Sequence, residues 1–506
     1  MKRRSNNLIL LLLFQISGIL IAHHSSIDLP HLLIAFCAFV LCFYLYPSLF
    51  WMAFGFFTVV LSAHHTKAFY PEKILTTTKD WRVFYIEEEQ SKAKQYYKYE
   101  ATFQKHTVLL FSKSPLTENA YYLAFTGLKE VENFNAAFDY KTYLAKSGIR
   151  YQTWISSAHF LFVSTRTKTR IKQYLKSLWK KHLPERLTGF TQTLLLGDKK
   201  DLDPLLLSKF QQAGLAHILA ISGMHIGLLF LMLERMTFWF RRTLKLFVVL
   251  GVLWSYVVLL GFSPSASRAV LGISIWLLLK YTYKWTSAVH ILLLSAFISL
   301  CFNPYLIFDV GFQFSYSAVL GILLFYPLFN EKLKLKNSVL QKIMQLLLIS
   351  FCAQLSVLPL SLYYFHQFPS LFLFSNLLAS PLLPLILFTG IGITFFPNLT
   401  WVYRQAVELL FQIVAWFADQ CWSLFYVFQI EKIQVIAMYL ILYQAYLYFH
   451  FRSKNELYSL YIPKKIGPRY QYFYLKCKQK PLLYIIRGVV IVLITVLFSE
   501  RLPLIY

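Results

Sequence analysis

Long apolar runs recur along most of the chain and predict membrane-spanning helices. Three lie near the N-terminus, at 8–22, about 31–46 and about 49–64. The later runs cover about 214–233, 246–262, 267–282, 286–301, 312–329, 338–362, 370–394, 406–428, 432–450 and 482–498. Each is long enough, or nearly so, to cross the hydrocarbon core of a bilayer. The pattern predicts a polytopic α-helical membrane protein with about 11 to 13 spans, in which Pro381 and Pro384 make 370–394 a kinked or re-entrant helix.

Residues 65–165 change to a different pattern. Lys and Glu become frequent, and short β-rich pieces such as 81–86 and 107–111 are separated by polar turns. Alternation on this scale is typical of strands. We therefore predict a small soluble β domain inserted after the third span.

A strongly basic segment follows at 166–190. Its apolar residues Ile171, Tyr174, Leu175, Leu178 and Trp179 recur at helical spacing, whereas nearly all its charges are basic. This combination predicts a basic amphipathic helix. The helix could lie on the membrane surface or form an outer collar that attracts phosphate, and the sequence leaves both interpretations open.

Basic residues at the N-terminus and in alternate later linkers predict the topology. Lys2, Arg3 and Arg4 should keep the N-terminus cytoplasmic, which places the β domain outside. The resulting segments are the N-terminal transmembrane helices (1–64), the external β domain (65–165), the basic helix (166–190), the main transmembrane domain (191–450), a basic cytoplasmic loop (451–481) and a final transmembrane helix (482–506).

Composition agrees with this membrane assignment. The chain has 506 residues, is 57% hydrophobic and only 14% charged, which excludes a water-compatible surface over most of its length. Its net charge of +27 fits membrane topology, anionic lipid or a polyanionic cargo equally well. Six cysteines are scattered without a CxxC pair, which argues against a disulfide framework or a zinc site.

Polar residues inside apolar runs are candidate functional residues, because they are costly at membrane depth. A first cluster comprises Gly197, Asp198, Phe210, Gly214, His217, Ser222, Gly223, His225 and Gly227. The two histidines are eight apart, which predicts that they share a helical face, and Gly223 and Gly227 would admit a close backbone neighbour. Taken singly, each histidine is more often an ordinary packing residue.

Three further clusters follow. Ser267 and Arg268 open one span, and Asp309, Gly311 and Gln313 open another. Asp309 is a natural partner for Arg268, so a buried structural pair is expected, although the arginine could instead bind phosphate or extend to the interface. The last cluster contains Gln354, Pro359, Asn376 and Pro381, where freed backbone carbonyls could line a cavity.

Common catalytic and nucleotide motifs do not occur. The sequence lacks GxxxxGK[ST], HExxH and GxSxG, so neither a P-loop motor nor these hydrolase sites are expected. Ser222, next to Gly223, has no assignable base. We predict no catalytic residue, no metal and no cofactor.

At these clusters the chain resembles the ComEC family of bacterial competence proteins. The resemblance rests on the first cluster together with the motifs at 264–269, 309–315 and 354–381, and on Phe138, Asp139 and Tyr140, which resemble the end of the family's external OB-like domain. It covers about residues 30–450 and corresponds to a short form without the C-terminal metallo-β-lactamase-like domain.

The resemblance implies passage of one DNA strand through the cell membrane during natural transformation. Residues 191–450 would form the competence channel, the β domain would be OB-like and meet the DNA, and an external DNA receptor and a cytoplasmic helicase-like ATPase would be partners. Oligomeric state does not follow from it. Candidate DNA contacts are Lys92, Lys94, Lys98, Lys105, Lys172, Lys176, Lys180 and Lys181.

Other interpretations also fit the sequence. The lysines around Tyr96 and Tyr97 fit an ordinary solvated β surface as well as a nucleic-acid site. A membrane enzyme acting on a lipid-linked or cell-wall substrate would use Asp198 or His225 as acid or base. A small-solute transporter would usually show repeat symmetry, which is not visible in this sequence.

Overall fold

The computed structural model describes Leu12, Gln15, Ile16, Ile19 and residues 79–461, with gaps at 93–95, 105, 119, 133–139, 146–147, 156–158, 164–169, 283–286, 332, 334, 421–422 and 427–429. The three N-terminal spans, Lys94, Lys105, the side chain of Lys92, most of the loop 451–481 and the final span lie outside this description. The chain forms two compact units. Unit 1 contains 1–203, 218–313 and 387–403, and unit 2 contains 204–217, 314–386 and 404–506.

The β domain belongs to unit 1. Its strands are β1 (Asp80–Lys92), β2 (Tyr97–Phe103), β3 (His106–Ser112), β4 (Ala120–Thr126), β5 (Lys129–Glu130), β6 (Tyr151–Ile155) and β7 (His159–Val163). They form one sheet in the order β5-β6-β3-β2-β1-β4-β7. Phe84 and Ile86 of β1 point inward with Tyr99, Ala101 and partners from the other strands, and this alternation produces a single buried core.

The sheet curls so that β4 approaches β6. β3 pairs with β6 in parallel, whereas β1, β2, β3 and β4 pair antiparallel. The Thr126 hydroxyl lies 2.7 Å from the Thr153 hydroxyl and donates to the Trp154 carbonyl at 3.1 Å. These bonds join the end of β4 to β6 beyond the regular ladder.

Helices make up most of the remaining described chain. Their bounds are α1 (Tyr140–Ala145), α2 (Arg170–His182), α3 (Glu185–Leu196), α4 (Pro204–Gln212), α5 (Gly223–Met236), α6 (Arg242–Leu259), α7 (Pro264–Tyr281), α8 (Ala288–Phe302), α9 (Val310–Asn330), α10 (Ser338–Phe365), α11 (Phe372–Ala379), α12 (Leu382–Gly392), α13 (Thr400–Ala418) and α14 (Lys432–Tyr461). Short 3-10 helices lie at Ala216–Ile218, Pro304–Phe308 and Pro397–Leu399, and the strands β8 (Gln367–Pro369) and β9 (Leu424–Tyr426) pair antiparallel in unit 2.

The described chain contains four helices that are long and apolar enough to cross a membrane: Arg242–Leu259, Val310–Asn330, Ser338–Phe365 and the part Lys432–His450 of α14. A fifth span is possible if α11 and α12 count together, since they are bent by 44°. The protein is therefore a helix-rich membrane protein with an N-terminal β-sheet domain. The number of candidate spans in the described residues is below the 11 to 13 predicted for the whole chain.

Several predicted elements are divided in the structure. The basic helix predicted at 166–190 ends at His182, and Pro184 precedes the separate helix α3 because proline lacks the N–H that a continuing helix needs. The run 214–233 contains a 3-10 turn before α5 begins at Gly223. The bend at 370–394 occurs beside Pro381, as predicted.

Candidate functional site

The turn after α3 brings the first sequence motif against the start of α5. Gly197 ends α3 in the left-handed conformation, with φ of 70°, and its N–H donates to the Thr193 carbonyl. A Cβ at this position would lie 3.2 Å from Cδ1 of Ile221. Glycine therefore meets both the backbone requirement and the tight contact.

Asp198 follows this turn and connects it to the basic helix α2. Its carboxylate forms an ion pair with Lys176, and its Oδ1 accepts the Lys200 backbone N–H at 3.1 Å. Burial raises the pKa of Asp198, but the bonds and charges of Lys176 and Lys200 outweigh it and hold the pKa below its usual range. Asp198 is thus an ionised anchor rather than a proton donor near neutral pH.

His225 stabilises the first turn of α5. The side chain is 4% exposed, and its Nδ1 accepts the Ser222 backbone N–H at 3.2 Å and lies 2.8 Å from Ser222 Oγ. A residue that satisfies the N-terminal backbone in this way acts as a helix cap. The contact supports the packing interpretation of His225.

Arg268 of α7 and Asp309, which immediately precedes α9, both bind the first turn of α9. The Arg268 Nη2 donates to the Gly311 carbonyl at 3.0 Å, and its guanidinium lies 5.7 Å from the centre of the Phe312 ring. Asp309 Oδ1 accepts the Phe312 N–H at 2.7 Å. Both charged side chains are buried, with 8% and 5% exposure. Buried charges require such hydrogen bonds, so this arrangement fixes α7 against α9.

The remaining predicted residues of these motifs have local roles. Ser267 Oγ donates to the Ser263 carbonyl at 2.9 Å, and Gln313 Nε2 donates to the Ile307 carbonyl at 2.8 Å. Gly223 lies with its Cβ position 3.9 Å from Ala269, next to Arg268. Unit 1 therefore brings the motifs together, from Gly197 through α5 and α7 to α9. We call these residues the motif cluster. Its members are Gly197, Asp198, Ser222, Gly223, His225, Ser267, Arg268, Asp309, Gly311 and Gln313.

Unit 2 contains the other part of the first motif. Gly214 has φ of 74°, and a Cβ there would lie 2.9 Å from Phe372 and 3.1 Å from Pro369. Ser375 Oγ donates to the Ala213 carbonyl at 2.7 Å, and Phe210 is fully buried in an edge contact with Phe411. The turn after α4 is thereby fixed to β8 and α11, and the half-buried Asn376 directly follows Ser375 in α11.

Two expectations about this region are wrong. His217 lies in the 3-10 turn and His225 in α5, so the two histidines do not share a helical face. Gly223 and Gly227 do not admit a close backbone, because a Cβ at Gly227 would meet nothing within 4 Å. The regular helix assumed for 214–233 is interrupted between the two histidines, and this interruption removes their shared face. Gly223 and Gly227 remain one turn apart within α5, but the Cβ position of Gly223 has only the Ala269 Cβ near it, at 3.9 Å, and no backbone atom.

Close backbone approach occurs instead at glycines that were not singled out. Gly189 of α3 lies directly against the Asp201 carbonyl, and a Cβ at Gly321 of α9 would lie 2.6 Å from the Cys352 carbonyl of α10. Tyr403 was also missed; it is fully buried, and its hydroxyl lies 2.6 Å from that of Thr191. For the two glycines the sequence offers only a weak signal, namely a small residue in a helical run.

A second candidate surface lies on the β domain. Trp154 of β6 is 50% exposed and stacks on Phe111 of β3, with ring centres 4.3 Å apart. Tyr96 contacts the edge of Trp154, and Lys98 pairs in register with Phe111 and donates to the Tyr140 hydroxyl at 3.1 Å. An exposed aromatic platform beside a cation, which we call the Trp154 platform, suits stacked bases and phosphate.

The described residues contain no group of three or more His, Cys, Asp or Glu side chains that could hold a metal ion.

Of the predicted lysines on α2, Lys176 binds Asp198, Lys172 is half-buried, and Lys180 and Lys181 are exposed. The motif cluster thus consists of caps, turns and hydrogen-bonded buried charges.

The motif cluster lies within the region that a known family model matches. The family model described as competence protein matches residues 194–452, which include all of the motif cluster. The chain belongs to this family. It is a competence protein of the ComEC family, and the turns, helix caps and buried arginine described above all lie within the matched region.

Relatives of this competence protein include both named and uncharacterised proteins. The chain is 32% identical over 255 residues to ComE operon protein 3 of Bacillus subtilis, covering 48% of this chain and 31% of that protein. It is 29% identical over 225 residues to Recombination protein 2 of Haemophilus influenzae, covering 40% of this chain and 28% of that protein. The matches thus span well under half the length of these relatives. No solved structure matches the chain significantly.

Proposed function

We propose that this competence protein takes part in DNA uptake for transformation by passing a single DNA strand across the cell membrane. The observation that supports this proposal is the match of the competence family over residues 194–452, within which a buried arginine and a buried aspartate are fixed among apolar helices. Polar groups in such surroundings are functional candidates, because burying them among apolar helices is costly. A polyanionic strand would need a hydrated and positively biased path through the membrane.

In this proposal the β domain lies outside the membrane and receives the strand. The domain resembles an OB fold in its antiparallel β1-β2-β3 meander, in the parallel pairing of β3 with β6, and in the hydrogen bonds between Thr126 and β6. Folds of this kind bind single strands through stacked bases and a positive groove. The Trp154 platform supplies an aromatic surface for stacking, and Lys98 supplies a cation beside it.

The external receptor and the helicase-like ATPase remain part of the proposal. The sequence has no P-loop, so the energy for strand movement would come from another protein. The N-terminus would be cytoplasmic and residues 191–450 would form the channel.

The uptake of duplex DNA labelled on one strand tests the proposal. We expect deletion of the gene to abolish entry of label into the cytoplasm while surface binding persists. Arg268→Gln should also abolish entry, because glutamine lacks the charge and the fork that contacts Gly311. The control is Arg235→Gln, at the exposed end of α5, which should preserve entry. Unchanged entry after deletion in a transformable strain would contradict the proposal.

The Trp154 platform has its own test. Trp154→Ala should weaken single-stranded DNA binding by the full-length protein by about 1–3 kcal/mol, the typical contribution of one stacked base. Trp81→Ala is a matched control, since Trp81 is 54% exposed but packs with Phe125 and His159 elsewhere on the sheet. Equal losses in the two variants would show that the platform has no special role.

A further inference from the structure

An apolar cavity of about 260 Å³ lies within unit 1, beneath the basic helix α2. Leu175 and Trp179 of α2 form one wall, and Leu196, His225, Leu228 and Phe388 contribute to the others. Its volume is slightly below the range of small-molecule sites and suits a segment of one hydrocarbon chain. We call this cavity the acyl slot.

The mouth of the slot is apolar as well. Val252, Phe388 and Phe395 line it and are 41%, 38% and 72% exposed. In a membrane protein, such side chains face the hydrocarbon or the interfacial region. An apolar cavity that opens between them is filled more favourably by an acyl chain than by water.

One polar atom in the wall has an unsatisfied hydrogen bond. Trp179 is 2% exposed, and its Nε1 is buried without a hydrogen-bond partner among the described residues. A buried indole N–H normally has an acceptor, and leaving it without one costs about 1–3 kcal/mol. The ester or glycerol oxygens of a phospholipid are acceptors located at the point where its acyl chain begins.

The basic residues of α2 near the slot favour a lipid with an anionic headgroup. Lys172 lies two helical turns before Trp179 on the same face of α2, and Lys180 flanks that face. Lys176, which lies between them, is already paired with Asp198. Among the described residues, Lys172 has no ion-pair partner, so it and Lys180 offer uncompensated positive charge to an anion near Trp179.

We propose that the acyl slot binds one anionic phospholipid of the bilayer. Its acyl chain occupies the slot, an ester or glycerol oxygen accepts the Trp179 N–H, and Lys172 and Lys180 contact the phosphate. This lipid would hold α2 against α3, α5 and α6. The inference concerns the lipid environment and does not require that the protein transports DNA.

Lipid retention by the full-length protein tests the inference. The protein is reconstituted in an equimolar mixture of phosphatidylglycerol and phosphatidylcholine, extracted in mild detergent, and its retained phospholipids are quantified by mass spectrometry. We expect retention of phosphatidylglycerol in excess. Each of Lys172→Gln and Lys180→Gln should lower that excess about fivefold, as expected for one basic contact near a membrane anion. Lys181→Gln, on the opposite face of α2, is the matched control and should have no effect.

A second variant tests the slot itself. Leu228→Trp should fill the cavity and remove the retained lipid, and Ile391→Trp serves the same purpose if the first variant does not fold. Thermal unfolding identifies folded variants. Equal effects of Lys181→Gln and Lys172→Gln would indicate unspecific attraction to the basic helix and would overturn the inference. Undiminished retention in a folded slot-filling variant would overturn it too.

Discussion

Gly214 occupies a turn in which both the backbone and the space exclude a larger residue. Its φ of 74° lies in the left-handed region, and its Cβ position would fall 2.9 Å from Phe372. Gly261 shares the first property but not the second, since its φ is 69° and nothing lies within 4 Å of its Cβ position. Substitutions at the two glycines therefore distinguish the cost of backbone strain, present at both positions, from the cost of steric conflict, present only at Gly214.

We expect Gly261→Ala to destabilise the protein by about 1–2 kcal/mol, the cost of the left-handed backbone alone. Gly214→Ala should cost a further amount of about 1–3 kcal/mol, because its methyl group must displace Phe372 or Pro369. Thermal unfolding of the purified variants measures the difference. Similar losses in both variants would contradict the close contact at Gly214.

Asp198 gives the protein a pH-dependent contact. Its pKa is lower in the folded protein than in the unfolded chain, so ionisation favours the folded state above about pH 4, and this contribution is lost as the pH falls through the folded pKa. We expect Asp198→Asn to lower the unfolding temperature near neutral pH and to approach the wild type in acid.

The control for this experiment is Asp201→Asn, which removes an exposed carboxylate from the same loop. Its unfolding temperature should follow that of the wild type across the pH range. If Asp198→Asn does the same, the ion pair with Lys176 does not stabilise the folded state.

At the level of elements, α9 and α10 pack closely in unit 2 because Gly321 leaves room for the α10 backbone. Tyr439 of α14 donates its hydroxyl to the Ser356 carbonyl at 2.9 Å on the same stretch of α10. Three helices are thereby held around one turn of α10. Glycine permits such backbone contacts between helices in membranes.

Gly321→Ala should separate α9 from α10, since a Cβ would lie 2.6 Å from the Cys352 carbonyl. We expect a loss of about 1–3 kcal/mol, typical of overpacking. Gly251→Ala in α6 is the matched control, because nothing lies within 4 Å of that Cβ position. It should be neutral or slightly stabilising, as alanine favours helix more than glycine does. Unfolding measurements in one detergent compare the two, and a neutral Gly321→Ala would contradict the packing.

The sequence predicted the positions of elements better than their continuity. The apolar runs at 246–262, 312–329 and 338–362 each coincide with one helix, because burial in hydrocarbon requires the same composition along the whole element. Continuity failed at 214–233, where Ser222 and His225 begin a new helix within an apolar run. A cap of this kind depends on side-chain geometry, and hydropathy does not detect it.

At the level of the whole molecule, the chain carries a net charge of +27, and the DNA binding that we propose should weaken as the salt concentration rises. Each phosphate contact that a lysine makes with a single strand contributes about −0.7 to the slope of log affinity against log salt. Lys98→Gln should therefore reduce that slope by about 0.7, whereas Trp154→Ala should lower affinity and leave the slope unchanged.

Titrations of full-length protein in neutral-lipid nanodiscs at several salt concentrations measure both effects. Lys79→Gln, outside the Trp154 platform, provides the charge-matched control. A Lys98 variant with the slope of the wild type would place the strand away from the platform.

The candidate site was only partly visible in the sequence. Asp198, Arg268 and Asp309 attract attention because charged residues are rare in apolar runs. Trp154 did not, because its platform forms only when β6 pairs in parallel with β3, more than 40 residues earlier in the chain. The contact between Thr191 and Tyr403 was invisible for the same reason, since 212 residues separate them.

This separation has a consequence for biosynthesis. At about 5–20 residues per second, the ribosome needs roughly 10 to 40 s to reach Tyr403 after Thr191 has been made. During that interval the Thr191 hydroxyl has a partner in its own helix, because it donates to the Leu187 carbonyl at 2.6 Å. Before Tyr403 has been synthesised, the nascent helix α3 therefore does not expose an unsatisfied Thr191 donor. The contact with Tyr403 forms after that residue has been made.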